Sequence, residues 1–106
     1  MVSRPLGRTV EGVSTYLVER YLPGLHRSEL LIALARVEAE AVRMQANGIT
    51  VRYLGSTFAI DDDTCFCTFA AESAAAVREA SARAGVPLAR VVPAESLPPT
   101  VKGEQE

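Results

Sequence analysis

Apolar positions along the chain follow two rhythms, one of period two and one of three to four. In Thr15-Tyr-Leu-Val-Glu-Arg-Tyr-Leu22 β-branched and aromatic residues mix with charges until Pro23-Gly24 stops the run, which predicts a first strand. After the turn, Ser28 offers an N-cap oxygen, and Leu30, Leu34, Val37, Ala41 and Met44 recur at helical spacing as far as Asn47-Gly48. Thr50 to Phe58 is again rich in β-formers. The acidic cluster Asp61-Asp62-Asp63 interrupts it before Cys65-Phe-Cys-Thr-Phe69 resumes, so the two runs predict a hairpin. Ser73 can cap a second helix with a narrow stripe of Ala74, Val77, Ser81 and Ala84, closed by Gly85 and Pro87. Leu88 to Val92 supplies a last strand.

The resulting order, βαββαβ, is the split βαβ pattern of a ferredoxin-like α+β domain: a four-stranded antiparallel sheet with two helices on one face. Right-handed crossovers place the third strand between the first and second, and the first between the third and fourth. The ordered domain is expected over 14–94, with flexible tails at 1–13 and 95–106, the latter rich in paired prolines and charge. Two helices cover only one sheet face, yet both faces carry apolar residues. Leu17 and Tyr21 oppose Tyr16, Val18 and Leu22, and Phe66 opposes Cys65, Cys67 and Phe69. An uncovered apolar sheet face implies a homodimer through it.

Composition narrows the function classes. With 106 residues, 48% hydrophobic and 23% charged, the chain has the balance of one folded domain. A net charge of −2 and scattered Arg and Lys argue against nucleic-acid binding. No segment approaches the roughly 20 apolar residues of a membrane span, and Met1 to Gly12 lacks the apolar core of a signal peptide. Two cysteines one residue apart cannot easily bridge each other, so free thiols in a reducing cytoplasm are expected.

Cys65 and Cys67 project from one face of a strand, so both sulfurs could meet one soft or borderline metal such as nickel, zinc or copper. Further ligands would come from Glu19 on the adjacent strand, from Asp61 to Asp63 at the turn, or from His26, the only histidine, across a dimer contact. The plainer alternative makes the cysteines small buried hydrophobes, His26 a solvated loop residue, Glu19 one half of an ion pair with Arg52 or Arg90, and the aspartates a solvated turn. Three tyrosines and three phenylalanines are available to line a small-ligand pocket or simply to pack. Nothing in the spacing favours a nucleophile-base-orienter triad.

Leu17-Val18-Glu19-Arg20 followed by Pro23, Cys67 with Phe69, and Val77-Arg78-Glu79-Ala80 leading to Ala84-Gly85-Val86-Pro87 and Arg90 form a recurrent pattern. These blocks, spanning about Thr15 to Pro93, resemble the nickel-binding-protein-like family catalogued as domain of unknown function 4242. The resemblance implies a small ferredoxin-like domain, usually dimeric, with nickel binding proposed for some members and no enzymatic reaction established. The expected function is a non-enzymatic cytoplasmic dimer that binds nickel, another transition metal or a small ligand, with Cys65, Cys67, Glu19 and His26 as candidate metal ligands. The alternatives are a dimeric α+β barrel enzyme acting on a small organic substrate and a structural interaction module.

Overall fold

The computed structural model describes residues 12–100. The elements run β1 (Ser14–Tyr21), α1 (Arg27–Ala46), β2 (Val51–Ala59), a 3₁₀ turn (Ile60–Asp62), β3 (Thr64–Ala71), α2 (Ala74–Ala84) and β4 (Arg90–Pro93). All pairings are antiparallel, and the strand order is β2-β3-β1-β4, as a ferredoxin-like α+β fold requires. The expected tails lie mostly outside the described residues; 95–100 is described and carries no regular structure.

One apolar stripe holds α1 to the sheet. Leu30, Ala33, Leu34, Val37, Ala41 and Met44 are buried, at the three-and-four spacing that puts them on one side of a helix. The helix begins at Arg27, and its N-cap lies two residues before Ser28. His26 is the N-cap, and its backbone N–H donates to the Glu29 carboxylate at 2.8 Å, a charged acceptor that outcompetes a serine hydroxyl further in. α2 is capped by Ser73 as expected, its Oγ accepting from the Ala76 N–H at 3.1 Å. The buried stripe of α2 is Ala76, Val77, Ala80 and Ser81, rotated from the expected one, with Ala74 and Ala84 at its margin. Small side chains let α2 lie close to α1, and Arg36 Nε of α1 donates to the Ala84 carbonyl at 3.3 Å. β4 starts at Arg90, not Leu88, because ladder pairing with β1 begins only at Glu19 opposite Arg90.

Beneath the helices, β1 presents Val18 and Arg20, β3 presents Cys65, Cys67, Phe69 and Ala71, and β2 presents Val51. Strict alternation would then turn Ser56 and Phe58 outward. A register shift between Tyr53 and Gly55 prevents this. Gly55 takes φ +139°, a conformation side chains rarely tolerate, and Leu54 is left exposed. The extra residue resets the phase, so that Ser56 lies opposite Cys67 and Phe58 opposite Cys65.

Phe69 is fully buried on central β3, its ring 5.4 Å from that of Tyr53. Phe69→Ala is expected to cost about 3–5 kcal/mol, read as a lower midpoint in urea unfolding with an unchanged slope.

Candidate functional site

The most unusual group in the core is an arginine. Arg20 is on the helix-covered side of β1 with no exposed surface. Buried cations need partners, since an unpaired charge in an apolar interior is strongly disfavoured. Its Nε donates to Cys67 Sγ at 3.4 Å and its Nη1 to the Pro87 carbonyl at 3.4 Å, while Nη2 has no acceptor. Ladder register explains the approach: Arg20 pairs with Cys65 and its neighbour Val18 with Cys67.

Three donors converge on the Cys67 sulfur. Besides Arg20, Ser56 Oγ donates to it at 2.9 Å, and Cys65 Sγ lies 3.9 Å away. Tyr53 and Ser56 share a further hydroxyl contact. Because the Ser56 proton is committed to sulfur, Tyr53 must be the donor in that contact, and burial raises its hydroxyl pKa, which keeps the proton in place. The hydrogen bond from the Cys65 thiol, then those from Ser56 and Arg20, lower Cys67 from 9.0 to about 6, against the opposing effect of burial. Cys65, which keeps its proton to serve Cys67, is pushed upward by that hydrogen bond and by burial. These interactions favour the thiolate at Cys67 and the thiol at Cys65, with Arg20 as the neighbouring cation.

A cavity of about 500 Å³ between α1 and the hairpin leads toward this cluster. Leu30, Leu34, Phe58, the exposed Ser56 and the buried Cys65 are among the residues that line it. Both sulfurs are nevertheless fully shielded from solvent, so a ligand must part the side chains above them.

Within one chain the four candidate ligands are not brought together. Cys65 and Cys67 share the buried cluster, as free cysteines. Glu19 lies on the opposite, open face, because its neighbour Arg20 points inward and strand side chains alternate. There Arg90 holds its carboxylate at 2.9–3.0 Å. His26 caps α1, exposed. The acidic turn runs alongside the segment before α1 through the Leu22 N–H bond to the Asp63 carbonyl, 2.8 Å, yet no group of three or more His, Cys, Asp or Glu able to hold a metal occurs among the described residues. Arg20 and Ser56 were not singled out from the sequence. A parity change between Tyr53 and Phe58, with Gly55 between them, was the available sign for Ser56.

A family model described as nickel responsive protein SCO4226-like matches residues 16–93. The chain belongs to that family. No match was found among curated proteins or among solved structures. No helix of the described residues is long and apolar enough to cross a membrane. The family's name raises nickel, and the thiol pair is the place to test its fit. Two sulfurs alone leave a divalent ion short of donors, and a guanidinium 3.4 Å from one of them adds like charge. The cluster does not fit a nickel ion held within one chain.

Cys67 also couples the fold to pH. Its pKa is lowered on folding, so its contribution to stability is full above the ordinary thiol value of 9.0 and is lost as pH falls through about 6. Between those limits unfolding free energy should rise with pH in the wild type and flatten in Cys67→Ser. Ultraviolet thiolate absorbance should show one group titrating near 6 that the variant lacks.

Proposed function

We propose that this protein is a non-enzymatic binding protein, paired through its open sheet face, whose Cys65-Cys67 thiol pair receives a thiophilic metal ion or small ligand from the cavity under α1. The observation that carries the proposal is the convergence of Arg20, Ser56 and Cys65 on the Cys67 sulfur, with Ser56 and Cys65 among the residues that line that cavity. A pair of cysteines serving only as packing would need no cation beside it. Membership of a nickel responsive family supports a metal-related role, and a reducing cytoplasm would keep both sulfurs free.

The pairing proposal rests on the other side of the sheet. Leu17, Phe66 and Val92 share the uncovered face, as their register with Thr68 and Glu19 shows, and Tyr21 at the end of β1 is 62% exposed. An apolar sheet face of this kind exposes several hundred Å² in a lone chain, roughly the scale of a partner surface. The Glu19–Arg90 pair lies within it and supplies polar register between copies.

Elemental analysis and calorimetry with Ni²⁺, Zn²⁺ and Cu⁺ should find uptake of at least one ion by the wild type that the Cys65→Ser/Cys67→Ser double variant lacks. Equal and negligible uptake by both would end the metal proposal. Light scattering should give a dimer for the wild type and a monomer for Phe66→Asp, whose buried carboxylate no second copy would tolerate. A wild-type monomer at working concentration would refute the pairing.

A further inference from the structure

A metal site must balance charge as well as supply donors, and at full burial the balance decides which ions enter. The cluster contains two sulfurs, which bind metals as thiolates, and one guanidinium, that of Arg20. Two thiolates, one guanidinium and one singly charged ion are neutral together. Replace that ion with a doubly charged one and a net positive charge is left in a core of Val18, Phe69, Val37 and Met44, all without exposed surface.

We infer that the Cys65-Cys67 pair is a receptor for a singly charged soft metal ion of the copper(I) class, with Arg20 as its built-in counter-charge. This rests on the proposal that the thiol pair binds metal, and it replaces nickel as the ion bound there. Thiolate softness selects copper(I), which is satisfied by few ligands. The described residues gather no third His, Cys, Asp or Glu at the sulfurs, a shortage that disqualifies ions needing four or six donors.

Geometry agrees. With metal–sulfur bonds of roughly 2.3 Å, sulfurs 3.9 Å apart subtend roughly 115° at an ion between them. That is near the trigonal angle, and Ser56 Oγ, 2.9 Å from Cys67 Sγ, stands beside the pair as a weak third donor. Arg20 is already engaged with Cys67 and Pro87, yet its buried Nη2 has no acceptor, so the guanidinium keeps donor capacity for the second thiolate that loading creates. Cys65, buried, and Ser56, exposed, both line the cavity, which gives an ion a route from solvent to the sulfurs.

The test is a competition on the full chain under reducing, chloride-free conditions. Silver(I) serves as the redox-inert probe, and Ni²⁺ and Zn²⁺ are the competitors. One Ag⁺ per chain is expected in native mass spectra, held against an excess of either divalent ion, with only sulfur and at most one oxygen around it by X-ray absorption. Arg20→Met should lower the preference for Ag⁺ over Zn²⁺ by about tenfold or more, while Arg20→Lys, which keeps the charge, should retain it. Retention of the full preference by a folded Arg20→Met overturns the role of Arg20. If that variant does not fold, the wild-type competition and coordination number decide. Ni²⁺ or Zn²⁺ displacing Ag⁺ from the sulfurs overturns the inference but leaves the thiol pair as a metal site. Absence of uptake for every ion overturns both.

Discussion

A guanidinium buried under two helices constrains the rest of this molecule. Arg20 has no exposed surface, and its burial is tolerable because the Cys67 sulfur, whose thiol pKa is lowered, and the Pro87 carbonyl lie in reach. The requirement runs in both directions. Hydrogen bonds from Cys65, then Ser56, then Arg20 favour the charged form of the Cys67 sulfur against the cost of burial. An ion pair of this kind need add little to stability compared with a well-packed apolar substitute.

The adjacent residues Glu19 and Arg20 divide the protein between two surfaces. Alternation along β1 sends one charge into the core and the other to the open face, where Arg90 meets it. Each strand residue of β1 and β3 therefore serves either the buried cluster or the uncovered face, and no residue serves both. This separation is why Glu19 is not a ligand partner for the sulfurs despite lying on a neighbouring strand. It also means that the proposed pairing through the sheet and the proposed ligand capture under the helices would involve different side chains.

Much of the architecture was legible in the order of residues. The α1 stripe from Leu30 to Met44 and the Ser73 cap rest on local spacing, and element order together with crossover handedness was enough to place the strands. The contents of the site were less so, for reasons of distance and phase. Arg20 finds Cys67 and Pro87 at sequence separations of 47 and 67. An arginine in an amphipathic strand reads as exposed until those partners are known. The N-cap moved from Ser28 to His26 because a carboxylate one turn on, Glu29, reached back to the backbone. Strand periodicity put Cys65 and Cys67 on one face, as the structure has them, while Glu19 was grouped with them for its place on the adjacent strand, where alternation turns it to the other face.

The irregularity in β2 has a consequence for comparing this chain with its relatives. Val51 and Tyr53 face inward before it and Ser56 and Phe58 after it, with Leu54 projecting outside. Leu54 is a spare residue: a relative one residue shorter at this place would resume plain alternation and still turn the same hydroxyl and aromatic ring toward the sulfurs. A gap opposite Leu54 in an alignment would thus mark a straighter strand carrying an unchanged cavity wall, and position-by-position matching across the hairpin should be judged from Ser56 onward.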